Sequence, residues 1–386
     1  MDPLLKWPGG KKREARYVRR FLPEHFDRYI EPFFGGGGVC FTLLGDYPDV
    51  PVVANDIDGD LIRFYRLVQS NSPELRRHLS AQAEEWRRLE TVAAILLPVA
   101  EPLLDFCFTR GKTEPEPDGL DRLTTAVRDA LAAQRAVFRS EISFASFTAV
   151  AAHCVTGKVR RLADMETRRR GARLTPAERC GHLEAGVKSG YYSYFRGIRL
   201  RGRYVRHVPA DAAETAAIFF FLREFCYGSM FRYNAAGQFN IPYGGMSYNR
   251  KDFAAKAERL FQPETQSFLR RVEFRRDDFR VIMKSVAPGD FVFLDPPYDS
   301  EFSAYGQNEF GLDDHAALAG CFSRMPGRGV LIIKDTPRIR AIYREYADRE
   351  ELFWLNYDKQ YAYNMRGRNN RAASHLLITN FSPGFA

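Results

Sequence analysis

The apolar run Phe291–Leu294 ends directly in the tetrapeptide Asp295-Pro296-Pro297-Tyr298. The run has the length and composition of a buried strand, so the tetrapeptide is predicted at a strand's carboxyl end. There the carboxylate can accept an N–H, and the backbone beside proline offers carbonyl acceptors without a donor. The tyrosine offers a ring on which a flat molecule can stack. This group suits the binding of a planar amine; a proline turn that only ends the strand is the alternative interpretation.

Four glycines at positions 35–38 follow the short apolar stretch Tyr29-Ile30 and lead into apolar residues 39–44, a predicted helix start. This order of strand, glycine turn and helix lets backbone amides approach a ligand closely. A second short strand, at residues 51–55, ends in Asp56. An acidic residue there can bind ribose hydroxyls. It can also cap the helix that the apolar spacing after it predicts, and both roles stay open.

Strands that alternate with helices near the N-terminus, together with strands at 291–294 and 329–333, predict an α/β fold with a mainly parallel sheet. A mostly helical region, residues 71–250, interrupts it, with helix-like apolar spacing at 74–90 and 126–138. We therefore expect residues 1–70 and 251–386 to form one domain and residues 71–250 a second.

The net charge of +9 is concentrated in one segment. Residues 156–207 contain 14 Lys and Arg against four Asp and Glu, and the rest of the chain is close to neutral. The tyrosines of the stretch 191–196 are interleaved with this charge, and Arg199, Arg201 and Arg203 follow them. Arginines that contact phosphates beside tyrosines that cover bases are typical of nucleic-acid binding. A solvated arginine-rich surface is the alternative.

The six cysteines contain no C-x-x-C pair, which favours a reducing cytoplasm over a disulfide framework. No N-terminal signal pattern is evident. Residues 91–108 are apolar but include two prolines and two acids, so a buried pair of helices is expected there rather than a membrane span. His153-Cys154 and Cys180-x-His182 have spacings unlike a zinc site, and no metal is predicted.

The motifs occur in the order found in the Dam-type DNA adenine-N6 methyltransferases, and the chain resembles that family over residues 4–70 and 218–380. The motifs that carry the resemblance are residues 6–11 (KWPGGK), 31–38 (EPFFGGGG), 55–57 (NDI), 278–279 (DF), 295–298 (DPPY), 226–234 with 237–244, and 302–310. The resemblance implies a Rossmann-like methyltransferase core, residues 1–70 and 251–386. It implies that residues 71–250 form a DNA target-recognition region, which here carries a large insertion.

The resemblance implies S-adenosylmethionine as the methyl donor. The carboxylate and amino end of this cofactor are expected near residues 35–38 and the loop 6–11, its ribose at Asp56, and its adenine near Asp278 and Phe279. The cofactor-binding residues implied are Trp7, Lys11, Phe33, Gly35, Gly37, Asp56, Asp278 and Phe279.

In the mechanism that the resemblance implies, the target adenine is flipped out of the duplex and stacks on Tyr298. Asp295 and the carbonyl beside Pro296 accept the two N6 hydrogens, and Pro297 completes the catalytic turn. No metal is required. The same turn would suit another exocyclic amine, so cytosine N4 in DNA, or an RNA substrate, is the alternative.

Residues 226–234 resemble the family's DNA-contacting segment, which implies that Tyr227, Arg232 and Asn234 bind double-stranded DNA. Arg232 is expected to read a guanine, since arginine bound to guanine O6 and N7 is the commonest specific contact. Gly228 and Ser229 depart from the family's asparagine and glycine, so the recognition sequence stays open. We expect a cytoplasmic, nucleoid-associated monomer or weak dimer, without a membrane, that works beside a restriction or defence system.

Overall fold

The computed structural model describes residues 1–138, 143–168, 173–200, 203–204, 211–230, 234, 239–298, 310–349, 351–360 and 372–382. The predicted DNA-binding residues Arg201 and Arg232, and the loop segment 302–309, lie outside this description. The chain divides into two compact units. The first joins Met1–Asn71 to Gln262–Ala386, and the second is Ser72–Phe261.

The first unit contains a seven-stranded sheet. Its strands are β1 (Tyr29–Glu31), β2 (Val52–Asn55), β5 (Val272–Arg275), β6 (Phe291–Leu294), β7 (Arg328–Lys334), β8 (Phe353–Gln360) and β9 (Ala372–Thr379), and their order across the sheet is β5-β2-β1-β6-β7-β9-β8. The first five in this order are parallel, whereas β9 and β8 close one edge with antiparallel pairs. The mainly parallel α/β fold is therefore confirmed.

The central strands are apolar along their whole length because both faces of the sheet are covered. Every residue of β1, β2 and β6 is buried. The helices of this unit are α1 (Ala15–Val18), α2 (Gly38–Leu43), α3 (Gly59–Gln69), α11 (Pro263–Leu269), α12 (Phe279–Lys284), α13 (Leu312–Arg324) and α14 (Pro337–Ala347). On one side, Ile30, Val292 and Leu331 pack with the buried faces of α12, α13 and α14.

The second unit is mainly helical. Its elements are α4 (Pro73–Arg110), α5 (Pro117–Ala133), α6 (Phe144–Arg168), α7 (Pro176–Ile198), β3 (Arg199–Leu200), β4 (Arg203–Tyr204), α8 (Ala212–Phe225), α9 (Met246–Asn249) and α10 (Phe253–Arg259). Helix α4 packs against α5, α6, α7, α8 and α10, so it is the central element of this unit.

The expectation of two helices within residues 91–108 is wrong, because α4 is one continuous helix of 38 residues. Pro98 and Pro102 lie inside it, and each removes one backbone hydrogen bond. Both prolines are exposed, as is Ala94, so the carbonyls that lose their partners face water. Among the described residues, α4 is also the one helix long and apolar enough to cross a membrane, which is weak evidence by length and composition alone.

The aromatic residues interleaved with the basic segment belong to the core of the second unit. Tyr191, Tyr192, Tyr194 and Phe195 are at most 2% exposed. The Tyr191 hydroxyl donates to the buried Glu85 carboxylate at 2.6 Å, and the Tyr192 hydroxyl donates to the Ile241 carbonyl at 2.9 Å. The interpretation that these rings cover nucleic-acid bases is therefore wrong, because α7 turns them inward.

Some cations of the basic segment are also structural. Arg179 donates two hydrogen bonds to Glu166, at 2.9 and 2.7 Å, and both side chains are buried. Lys188 is fully buried and contacts Glu184, Glu90 and the Asn249 carbonyl. The surplus charge of residues 156–207 therefore overstates the charge that this segment presents to solvent.

We expect Glu166→Ala to lower the free energy of unfolding by about 3–5 kcal/mol, because it leaves the buried Arg179 guanidinium without its main partner. Urea-induced unfolding followed by circular dichroism measures this change. Asp164→Ala is the matched control, since it removes the exposed Arg168–Asp164 pair and should cost at most about 1 kcal/mol. Equal effects of the two substitutions would contradict a structural role for the buried pair.

Candidate active site

The order of the strands locates the site before any side chain is considered. The chain runs from β1 to β2 on one side and later returns to β6 on the other side of β1. Ligands of open parallel sheets bind at such a reversal, outside the carboxyl ends of the strands. The glycine turn after β1, Asp56 after β2 and Asp295 after β6 all follow these ends.

An ion pair forms at the end of β6. The Lys11 ammonium lies 2.5 Å from Asp295 Oδ1, and Lys11 is 3% exposed whereas Asp295 is 20% exposed. The same ammonium lies 4.7 Å above the centre of the Tyr298 ring. Lys11 was predicted to bind the cofactor, and the structure instead brings its ammonium to the predicted catalytic carboxylate. That carboxylate is accessible to a ligand, while its counter-charge is buried.

The glycine turn is a close-packed backbone segment. Gly35 and Gly37 have φ angles of 50° and 65°, in the left-handed region that favours glycine. A Cβ at Gly35 would lie 2.8 Å from the Trp7 ring, and one at Gly37 would lie 2.5 Å from Phe34. Trp7, Gly35 and Gly37 are therefore brought together, and no larger residue fits at either glycine.

Asp56 holds this turn through backbone amides. Its Oδ2 accepts the Gly35 N–H at 2.8 Å, and its Oδ1 accepts the Asp58 N–H at 2.9 Å. The N-cap of α3 is Asp58, which accepts the Asp60 and Leu61 N–H groups. The alternative that Asp56 caps this helix is therefore wrong, because the helix begins two residues later.

Two further polar residues at the strand ends were missed by the sequence analysis as site residues. The buried Asn55 side chain donates to the Pro32 and Asp277 carbonyls, both at 3.0 Å, and accepts the Asp277 N–H at 2.8 Å. It ties the loops after β1, β2 and β5 together. A carboxamide at a buried strand end, where apolar residues are the rule, was the available signal.

Glu31, the last residue of β1, is the second of these residues. It is 2% exposed, and its Oε2 accepts the Tyr29 hydroxyl at 3.0 Å. Burial raises the pKa of the Glu31 carboxyl well above its ordinary value, and the negative charges of Asp295 and Asp56 raise it further. Hydrogen bonds from Tyr29 and from the Cys40 backbone act in the opposite direction. Glu31 is therefore held as the neutral acid beside two carboxylates.

Phe33 and Phe279, both predicted to bind the cofactor, form one aromatic cluster with Phe310. Their ring centroids are 5.5 Å apart in all three pairs. Asp278 caps α12 by accepting the Arg280 N–H, and the Arg280 guanidinium bridges Asp278 and Asp314. Asp278 remains half exposed. An apolar wall with a carboxylate at its rim can hold a flat heterocycle that carries an amino group.

The predicted DNA-binding residues that the structure describes lie in the second unit. Arg199 and Arg203 stand on the two strands of a short antiparallel hairpin. Tyr227 is 40% exposed, and its backbone N–H donates to the Pro242 carbonyl. Asn234 is half-buried. In the described part of the chain, no group of three or more His, Cys, Asp and Glu side chains could hold a metal ion.

A family model for D12 class N6 adenine-specific DNA methyltransferases matches residues 7–90 and 176–362. The matched ranges hold the glycine turn, Asp56, the aromatic pair and Asp295-Pro296-Pro297-Tyr298, and they make up more than half of the chain. This chain belongs to that family. It is an adenine-specific DNA methyltransferase, as the Dam-type resemblance implied, and reactions of this class depend on S-adenosylmethionine. The match omits residues 91–175, which contain α5, α6 and the second half of α4.

Curated relatives have compatible names. The type II methyltransferase M.CviBI of Paramecium bursaria Chlorella virus NC1A is 32% identical over 178 residues, which cover 45% of this chain and 64% of that protein. The type II methyltransferase M.MjaIII of Methanocaldococcus jannaschii is 23% identical over 344 residues, 86% of this chain and 83% of that protein. The DNA adenine methylase of Serratia marcescens is 30% identical over 118 residues, 29% of this chain and 42% of that protein.

For this D12 methyltransferase we predict that Glu31→Gln relieves a loss of stability at higher pH. Below the ordinary pKa of 4.5, Glu31 is neutral in the folded and the unfolded chain. Above it, the unfolded chain ionises while the folded one does not, so wild-type stability falls relative to the glutamine variant by about 1.4 kcal/mol per pH unit, up to the raised pKa.

Urea unfolding of both proteins from pH 4 to pH 8 measures this difference. Glu264→Gln changes an exposed glutamate of the same unit and should show no such trend. A difference between wild type and Glu31→Gln that stays constant across the range would mean that Glu31 ionises normally in the folded protein.

Proposed function

We propose that Asp295 and Tyr298 hold the target adenine of double-stranded DNA for methylation at N6. The observation that carries this proposal is the Lys11–Asp295 ion pair, because it leaves an accessible carboxylate at the carboxyl end of β6. The family description supports adenine N6 over the alternatives of cytosine N4 and RNA. An adenine N6 is hidden inside a stacked duplex, so the base must be extruded to reach Asp295, at a cost of a few kcal/mol.

Each residue of the turn then has a distinct task. Asp295 accepts one N6 hydrogen, and the carbonyl beside Pro296 accepts the other, which draws the nitrogen lone pair out of conjugation with the ring. Tyr298 stacks on the base. Asp295 takes the proton that N6 releases, and the buried Lys11 ammonium holds the carboxylate in place between turnovers. The contribution of these groups is positioning together with electrostatic stabilisation of the charge that develops on N6.

The residues around the glycine turn fit S-adenosylmethionine, which supplies an electrophilic methyl group when it is bound. Gly35 and Gly37 present the backbone without side chains, beside Trp7. We propose that this turn holds the amino-acid end of the cofactor. Asp56 spends two lone pairs on backbone amides and retains others for ribose hydroxyls. The aromatic cluster of Phe33, Phe279 and Phe310 packs on the adenine, with Asp278 at the amino group.

We propose that the first unit is the catalytic core and that the second unit, with Tyr227, Asn234, Arg199, Arg201 and Arg203, recognises the DNA target. Its exposed Tyr227 and its arginine-bearing hairpin support this role. Arg232 is proposed to read a guanine in the major groove.

We further propose that the protein acts as a monomer or weak dimer in the cytoplasm, associated with the nucleoid. Its six cysteines are free thiols, which suits a reducing compartment. The type II names of two relatives support work beside a restriction enzyme.

Asp295→Asn should lower kcat by about 10²–10³-fold while cofactor affinity changes little, because the amide turns a donor toward the N6 hydrogens. Transfer of radiolabelled methyl groups to DNA measures turnover, and calorimetric titration measures cofactor affinity. Asp348→Asn, at an exposed position of the same unit, should leave both unchanged. Turnover of Asp295→Asn within tenfold of wild type would remove this carboxylate from the mechanism.

The Lys11→Met variant separates the two roles considered for this lysine. A counter-ion of Asp295 should affect kcat and depend on Asp295, so that the Lys11→Met and Asp295→Asn effects are not additive. A cofactor ligand would instead raise KM for S-adenosylmethionine and add independently to the Asp295→Asn effect.

Asp56→Asn should weaken S-adenosylmethionine binding by roughly 10- to 150-fold, since a hydrogen bond to a charged acceptor is worth about 1.5–3 kcal/mol. Calorimetry with the cofactor measures the change, and DNA affinity should stay constant. Asp58→Asn is the matched control, because asparagine is an equally good helix cap. Cofactor affinity that both variants retain would limit Asp56 to holding the glycine turn.

A further inference from the structure

Exposed cations crowd the segment that follows Lys11. Five lie within residues 12–20 of the first unit: Lys12, Arg13, Arg16, Arg19 and Arg20. The one acidic residue of this stretch, Glu14, is 4% exposed and turns inward. The solvent side of the segment is therefore purely basic, although it lies outside the basic segment 156–207.

Four of these cations form one surface. Lys12, Arg13, Arg16 and Arg19 line a shallow surface cavity of about 540 Å³ together with Thr42 and Leu43 of α2. We call these four cations the α1 basic face. Their convergence follows from helical spacing, since the Glu14 and Ala15 N–H groups already donate to the Lys11 carbonyl.

The acidic neighbours do not neutralise this face. Lys12 pairs with Asp2 and Arg19 with Asp46, and both pairs are largely exposed and therefore weak. Among the described residues, Arg13 and Arg16 have no carboxylate partner. Arg16 contacts the neighbouring Tyr17 ring and donates to its hydroxyl. Two guanidinium groups are thus available to an external anion.

The α1 basic face begins beside the catalytic turn. Lys11, which contacts Asp295, immediately precedes it, and a Cβ at Gly38 would lie 3.1 Å from the Lys12 amide. Arg16 follows Lys11 by five residues, an axial rise of about 8 Å in a helix. Phosphates of a duplex whose base reaches Asp295 recur every ~1.7 Å along its axis.

We propose that the α1 basic face binds the phosphate backbone of the DNA substrate next to the extruded adenine. A row of cations matches a row of phosphates, whereas the cofactor carries one carboxylate. The catalytic unit therefore grips DNA itself, independently of the second unit. This inference rests on the proposed function of Asp295 for its location, but not for its test.

Counterion release gives the test. Each phosphate contact contributes about 0.9 to the slope of log affinity against log salt concentration. We expect Arg13→Ala with Arg16→Ala to make the slope shallower by about 1.8. Fluorescence anisotropy with a labelled duplex of about 30 base pairs, from 50 to 200 mM salt, measures it. The charge-conserving double variant Arg13→Lys with Arg16→Lys should retain the wild-type slope.

Lys284→Ala with Arg344→Ala is the matched control, because it removes two exposed cations of α12 and α14 in the same unit. It should leave the slope unchanged. A wild-type slope in the Arg13/Arg16 alanine variant, or an equal loss in the control, would overturn the proposal. Unchanged cofactor affinity verifies that the variant is folded. An Asp295→Asn enzyme that still turned over would refute the proposed function and leave the slope result standing.

Discussion

The Lys11–Asp295 ion pair is the contact on which the arrangement of the site depends. It joins two residues 284 positions apart, so the N-terminal loop and the end of β6 are fixed to each other. The strand ends bring three carboxylates together, and each is accommodated differently: Asp295 by an ammonium, Asp56 by backbone amides, and Glu31 by staying protonated. One charge at this edge is thereby kept accessible without the repulsion that three would cause.

Local sequence was sufficient to predict the parts of the fold whose signal lies within a few residues. β6 has the predicted bounds, 291–294, and β1, β2 and β7 lie where short apolar runs end in glycine or acidic residues. A strand buried on both faces is apolar throughout, so its signal does not depend on its partners. Phe33 and Phe279, far apart in the chain, were placed in one site only through the family resemblance.

Features that depend on solvent exposure or on partners from elsewhere in the chain were not predictable. Proline was expected to divide α4, but its cost vanishes where the freed carbonyls face water. Tyr191 and Tyr192 carry no mark that separates a core tyrosine from one that stacks on a base, since both roles use an apolar ring with a polar tip. The capping by Asp58 rather than Asp56 differs by two residues, which is within the ordinary uncertainty of a helix start.

The continuity of α4 constrains how this family can vary. The family model ends at residue 90, in the middle of the helix, and resumes at residue 176, where α7 begins. The extra residues are thus attached through a rigid rod rather than through two flexible linkers. Deleting one residue just beyond Glu90 would rotate everything that follows by about 100° about the helix axis. The rod tolerates changes of length only in near-whole turns, whereas residues 111–116, which join α4 to α5, can change length freely.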